Sequence, residues 1–336
     1  MNDLEDEHGG LIVNGVSKSY GDHTGLSGVD LRVGAGEVHG LLGRNGAGKT
    51  TLLGILLGLI RADSGVITHA GVDIEAVRGR VPGGLAGCVE EPQLYPYLTG
   101  RRTLRLLARL DDPGGLAPMA CLDRVGLSAD ADRRVGSYSL GMRARLVIAA
   151  SLMRRPGLLV LDEPTSGLDP VSGAALLELL RELAAAGTSV IVSSHDLVAV
   201  ADVCDRVTIL RRGRVVLAAD VDQLTALAPQ PVFELSTPCD QVALRLADSL
   251  TGLTAELTTD GLVVRATDRA MDGFVLLLAS RGIPVRRLHT MQSPLRALFD
   301  DLTSRADESL SPSDTTDVEA EGTSSSRIRP MASSAP

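Results

Sequence analysis

Over residues 11–42 the apolar positions form short runs, "LIVNGVSKSY", "LSGVDLRV" and "GEVHGLLG", divided by glycine-bearing turns, and these predict strands. A glycine-rich loop follows, and "KTTLLGILLGLI" then has the length and apolar content of a helix. "GVITHAGVDI" returns to strand chemistry, and residues 98–155 are mostly helical patterns broken by "DDPGG". "LLVLD" and "SVIVSSH" are short β-rich apolar runs of the kind found in buried parallel strands. Between them "SGAALLELLRELAAAG" predicts a helix that ends at Gly187. Strands alternating with helices in this way describe an α/β sheet covered on its faces, with a helical insertion at about 90–155.

After Pro229 the pattern restarts. "VFELS" predicts a strand, and Val242, Ala243, Leu246, Ala247 and Leu250 mark one face of a helix. "LTAEL" and "LVVRA" flank the turn "TTDG", and Met271, Phe274, Val275 and Leu278 mark a second helix. "IPVRRL" predicts another strand and "SPLRALFDDLT" a last helix. The order β-α-β-β-α-β is the split βαβ motif. It predicts a small α+β (ferredoxin-like) accessory domain at 231–303. From residue 304 to 336 Ser, Thr, Pro and acidic residues dominate without periodicity, as expected of a disordered tail, and 1–10 reads the same way.

The length of 336 residues fits two domains, or one large domain with an appendage, and a hydrophobic content of 44% is ample for a core. The longest strongly apolar uncharged run, Thr50 to Ile60, is far short of the roughly 20 helical residues that span a bilayer. "MNDLEDEHGG" is acidic and lacks the apolar stretch of a secretory signal. Cys88, Cys121, Cys204 and Cys239 have no C-x-x-C spacing, so neither a zinc site nor a disulfide frame is indicated and a reduced cytosolic setting fits. A net charge of −9 argues against a nucleic-acid partner. Of 33 basic residues only Lys18 and Lys49 are lysines. Tyrosines lie before residue 140 and phenylalanines after 230, a change of character that agrees with the restart of the pattern.

Lys49 belongs to "GRNGAGKT", which matches G-x-x-x-x-G-K-[ST] after a predicted strand and before a predicted helix. Glycines let backbone N–H groups curl around phosphates, and the helix N-terminus adds partial positive charge. A lysine at 49 supplies a compact charge that arginine's planar fork does not, and Thr50 offers a hydroxyl to Mg²⁺. The plainer alternative is a glycine-rich turn opening a helix. "LLVLDEP" places Asp162 and Glu163 at a strand end, where one acid can hold a hydrated metal and the second can orient or deprotonate water. His195 ends "VIVSSH"; a lone histidine there is usually structural, but three strand ends with Lys/Thr, Asp/Glu and His converge on one sheet edge.

These ordered motifs resemble the ATP-binding subunit of ABC transporters over about residues 11–217. The resemblance implies a P-loop NTPase core of ABC type at 11–220, with an antiparallel β subdomain and a helical insertion. It also implies ATP and Mg²⁺ as ligands. Tyr20 in "SKSYG" would stack on adenine; Gly43, Arg44, Asn45, Gly46, Ala47, Gly48, Lys49, Thr50 and Thr51 would cradle the phosphates. Thr50, Asp162 and Glu90 would face the metal, Glu163 would be the catalytic glutamate and His195 the switch histidine. In "SYSLGMRARL" Ser139 and Gly141 would reach the γ-phosphate held by a second copy, with Asp169 in the adjoining D-loop. Leucine and methionine in "YSLGM" depart from the common signature and resemble exporters of the ABC-2 class, as does "MQSPLRALFDDLTS". Arg44 stands where proline is frequent.

In "GCVEEPQLYPYLTG" most of the family carries glutamine where this chain has Glu90, and a bacitracin- and lantibiotic-exporting subgroup carries glutamate. Glu90 is therefore expected to face the nucleotide, and Glu91 to be a solvated charge. Tyr95 and Tyr97 open the helical insertion, where the family meets its permease; core packing explains such residues about as often. The resemblance implies a homodimeric motor on the cytoplasmic face of the cell membrane. It would drive a separate integral-membrane permease that exports a drug, antibiotic or peptide. A soluble regulatory ABC ATPase is the alternative. A ribosome-acting ABC protein would carry two tandem cassettes, and a DNA-repair ATPase a long coiled coil that residues 51–136 cannot accommodate.

Overall fold

The computed structural model describes residues 10–74, 84–90, 93–110 and 116–304. The expected tail at 305–336, the first nine residues, "DDPGG" and Glu91 lie outside them. A hairpin of β1 (Leu11–Tyr20) and β2 (His23–Val33) leads to β3 (Val38–Leu42), all five of whose residues are buried. Residues 43–48 loop into helix α1 (Lys49–Leu56). β4 (Ser64–His69) and β5 (Val72–Asp73) then complete an antiparallel sheet in the order β2–β1–β4–β5.

β6 (Leu85–Cys88) enters a second sheet and is followed by three helices, α2 (Gly100–Leu110), α3 (Pro118–Arg124) and α4 (Leu140–Leu152). Next come β7 (Leu158–Leu161), α5 (Pro170–Ala185), β8 (Ser189–Ser194) and α6 (Leu197–Ala201). β9 (Arg206–Arg211) and β10 (Arg214–Asp220) form a hairpin that ends in α7 (Val221–Leu227). The second sheet runs β10–β9–β3–β8–β7–β6 and is parallel except at β10. β3, β7 and β8 are buried at every position, which is why their sequences are continuous apolar runs without alternation. Two hydrophobic cores cover this sheet, one built with α4 and α5 and the other with α1 and the first sheet.

The third sheet holds β11 (Val232–Ser236), β12 (Leu253–Leu257), β13 (Leu262–Ala266) and β14 (Arg287–Gln292) in the order β12–β13–β11–β14. Helices α8 (Asp240–Ala247) and α9 (Asp268–Ser280) connect it, and Phe274, Leu235 and Val264 sit in its own core. α8 turns Ala243 and Ala247 inward, one helical turn apart, so the neighbouring Val242 points outward and is 37% exposed. The last strand begins later than its apolar pattern predicts. Ile283 and Val285 pack against the core, but Pro284 has no N–H to give a ladder, and pairing with β11 runs through Arg287–Gln292.

Helix α10 (Pro294–Ser304) leaves this sheet and packs on α6 and α7. Its Phe299 is buried in the core that contains α4 and α5, and Arg211 donates to the Leu302 carbonyl at 3.1 Å. Phe299→Ala is expected to destabilise the chain by about 3 kcal/mol, the usual cost of emptying a phenylalanine site. Urea unfolding checks this.

Candidate functional site

The loop from Gly43 to Gly48 owes its shape to two glycines. Gly48 has φ of +105°, and a Cβ there would lie 2.7 Å from the Gly25 carbonyl oxygen; one at Gly43 would lie 2.5 Å from that of Leu210. Gly48 is also the N-cap of α1 and has no side chain to accept from the first turn. The free amides of that turn are an anion site by geometry. Beneath the loop, the β9–β10 turn ties it down: the Gly213 N–H donates to the Ala47 carbonyl and the Ser27 N–H to the Gly213 carbonyl, each at 2.8 Å. The apolar pattern did not predict β9 and β10, and this anchor is not visible in the loop motif itself.

Three neighbouring parallel strands, β3, β8 and β7, end at the loop, so Lys49, His195 and the Asp162–Glu163 pair converge as expected. Buried Lys49 donates from Nζ to the Gly43 carbonyl at 2.6 Å and lies 3.2 Å from Glu163 Oε1. The other Glu163 oxygen, Oε2, is 2.8 Å from His195 Nδ1. Thr50 donates from Oγ1 to Asp162 Oδ2 at 2.8 Å. Ser193, which the motifs did not single out, joins both acids: its hydroxyl donates to Asp162 Oδ1 and accepts the Glu163 N–H at 2.8 Å. A buried serine two positions before His195, at the end of an apolar strand, was the available signal.

A cavity of about 360 Å³ is lined by Tyr20, Gly25, residues 44–51 and Glu163. Tyr20 is half exposed at its mouth, with Lys18 Nζ 5.5 Å from the ring centroid. Its walls carry amides, a cation and an aromatic face, a set that suits a phosphorylated base. Thr50 and Asp162 present hard oxygen donors side by side, which suits a small divalent cation.

Glu90 lines a second cavity of about 530 Å³, together with Asp162, Glu163, Leu168 and residues of α4. Both Glu90 and Glu163 have positive φ, +67° and +46°, a strained conformation for a side-chain-bearing residue and one that clusters at functional sites. Beside them, burial and the charges of Asp162 and Glu90 push the Cys88 thiol upward, so it stays protonated at neutral pH.

None of Ser139, Gly141 and Asp169 lines the phosphate-loop cavity of the same chain. Ser139 caps α4 by accepting the Met142 N–H at 3.2 Å. Asp169 caps α5 through the Val171 and Ser172 amides at 3.1 and 3.0 Å, and its hydrogen bonds with Ser172 hold its carboxyl below the usual range. Tyr95 and Tyr97 are 51% and 65% exposed with ring centroids 5.6 Å apart, which removes the core-packing alternative.

A family profile described as ABC transporter matches residues 26–166. The daunorubicin resistance ATP-binding protein DrrA3 of Streptomyces coeruleorubidus is 37% identical over 310 residues, spanning 87% of this chain and 95% of that one. The bacitracin transport ATP-binding protein BcrA of Enterococcus faecalis is 29% identical over 292 residues, 85% of this chain and 94% of its own. Among solved structures, cbiO1 of Clostridium perfringens, part of the ABC transporter complex cbiONQ, superposes with a TM-score of 0.59 at 28% identity. That superposition covers 64% of this chain and 90% of that one.

Proposed function

Because this chain belongs to the ATP-binding proteins of ABC transporters and is an ATPase, we propose that it is the motor subunit of a drug, antibiotic or peptide exporter. What carries the proposal is the resemblance to DrrA3 along nearly the whole of both chains, joined to the Lys49–Glu163–His195 cluster at the strand ends. No helix among the described residues is long and apolar enough to cross a membrane, so a separate permease would supply the pathway. The chain would then sit on the cytoplasmic face of the membrane.

In this reading the ATP phosphates occupy the amide cradle at the start of α1, and the γ-phosphate takes the place of Glu163 on Lys49. Tyr20 stacks on the base. Thr50, Asp162 and Glu90 would hold Mg²⁺, which would supply positive charge to offset that of the phosphates. Glu163, freed from Lys49 but kept in place by His195 Nδ1, accepts the proton of the attacking water. Ser193 fixes the strand end from which both acids project. The half-site lacks Ser139 and Gly141 in its own cavity lining, which favours a second copy that supplies them. Residues 231–303 would form a ferredoxin-like accessory domain, supported by the 2-3-1-4 order of their four strands.

A carboxylate at 90 gives the metal a charged oxygen, whereas it repels metal-free phosphates. Glu90→Gln should fold and hydrolyse ATP, need about threefold more Mg²⁺, and bind metal-free ATP slightly better. Glu90→Ala should lose more activity than Glu91→Ala. ATPase rate against Mg²⁺ concentration for these variants checks the assignment; a silent Glu90→Ala beside a damaging Glu91→Ala would put the register one residue off.

The exposed Tyr95–Tyr97 pair would meet the permease, since paired amphipathic rings in solvent suit a protein interface. Replacing both with alanine should abolish coupled export, leave basal ATPase within about twofold, and leave the circular dichroism spectrum unchanged. Export by membrane vesicles containing the variant, measured beside ATPase, tests it. Unimpaired export would place the permease elsewhere.

A further inference from the structure

The larger of the two cavities contains an unbalanced pair of charges. Leu140, Arg143, Ala144, Val147 and Ile148 form the wall contributed by α4, at spacings of three, one, three and one residues along a single helical face. Four of the five are apolar, and the second position of the stripe, Arg143, is an arginine. Arg143 is half-buried, and a guanidinium on such a face gains from an acid placed opposite it. Across the cavity stand three acids, Glu90, Asp162 and Glu163.

Two of those acids are already engaged. Asp162 accepts from Thr50 and Ser193, and Glu163 is held by Lys49 and His195. Among the described residues no hydrogen bond or ion pair is recorded for the Glu90 carboxylate or for the Arg143 guanidinium; only the Glu90 backbone carbonyl is bonded, to Cys88 Sγ. They are therefore the two unmatched opposite charges of one half-enclosed space. Glu90 sits between β6 and the helical insertion, and Arg143 closes the first turn of α4, just after Ser139 and Gly141.

We infer that Arg143 is a positioning residue that competes with Mg²⁺ for the Glu90 carboxylate. Without nucleotide, Arg143 and Glu90 form no direct ion pair, and the attraction of the two charges across the cavity favours orientations of Glu90 toward α4. When the metal binds, the carboxylate turns to it and α4 is released, so metal occupancy is communicated to the helix that carries Ser139 and Gly141. A glutamine at 90 could not take part in this exchange of charge partners, which gives the glutamate a role beyond metal binding. The inference rests on the ATP-binding reading above.

The test is calorimetric binding of a non-hydrolysable ATP analogue to the full chain as Mg²⁺ is titrated, a readout independent of turnover. Arg143→Gln should lower the half-saturating Mg²⁺ concentration about two- to fivefold, the range of a solvent-screened attraction between opposite charges. Arg143→Lys, which keeps the charge, should stay near the parent value and shows that packing is not the cause. In the Glu90→Gln background Arg143→Gln should change nothing. An equal shift in that background would mean that Arg143 simply repels the cation, and would overturn the inference, as would unchanged midpoints in the parent background. A parent protein that does not bind the analogue at all overturns the nucleotide reading, and the inference with it.

Discussion

Glu163→Gln is expected to lower ATP turnover by about 10²- to 10⁴-fold while leaving ATP binding intact, the loss that follows removal of a general base. The side chain is nearly isosteric, so the hydrogen bond toward His195 Nδ1 and the position near Lys49 can both be kept. What disappears is the negative charge. In the resting chain that charge neutralises buried Lys49, and its loss frees the lysine for the triphosphate. The variant should therefore bind ATP as tightly as the parent or more tightly. Single-turnover hydrolysis beside equilibrium binding separates the two effects. Loss of binding with turnover per bound ATP unchanged would move Glu163 from catalysis to nucleotide recognition.

Lys49→Ala should weaken ATP binding by roughly 100-fold or more, because a buried cation is removed from an anion site and a half-buried acid is left unpaired beside it. Lys49 is held at two points, the Gly43 carbonyl and Glu163, which fixes Nζ over the loop. Alanine deletes the cation and also leaves Glu163 repelling the incoming phosphates. That second contribution predicts a specific pattern: Lys49→Ala combined with Glu163→Gln should recover part of the lost affinity. Titration with a fluorescent ATP analogue measures both. Affinity within threefold of the parent for Lys49→Ala would remove the lysine from the phosphate site.

Much of this site was legible because its chemistry is carried by contiguous residues. The loop "GRNGAGKT" and the strand end "LLVLDEP" carry recognisable motifs, His195 follows a buried run, and "LLVLD" and "SVIVSSH" have the continuous apolar character of buried parallel strands, as the pairing shows. The cradle's support was harder to read. β9 and β10 hold "RVTILRRGRVV", whose arginine-rich turn obscures the apolar pattern, yet Gly213 is what pins the loop to β2. Ser193 was hidden because one buried hydroxyl looks like any other small residue in a strand. Ser139 and Asp169 show the converse. Their motif positions were clear, but in a single chain each is seen capping a helix, and their proposed part in the chemistry depends on a second copy. The last strand shifted to Arg287–Gln292 because apolar spacing records which residues are buried, while pairing is set by which have an N–H to give. Arg143 went unnoticed for a similar reason: its significance lies in what faces it across a cavity.

The central claim is that one chain holds half of a site and that ATP joins two copies. Sizing chromatography of full-length Glu163→Gln, run with and without ATP and Mg²⁺, tests it most directly, because slowed hydrolysis should trap the joined state. The account predicts a monomer without nucleotide and a dimer with it, and a return to monomer when Ser139→Arg is added, since that arginine would block the signature end of α4. A Glu163→Gln protein that stays monomeric at saturating ATP while hydrolysing at the parent rate would contradict it.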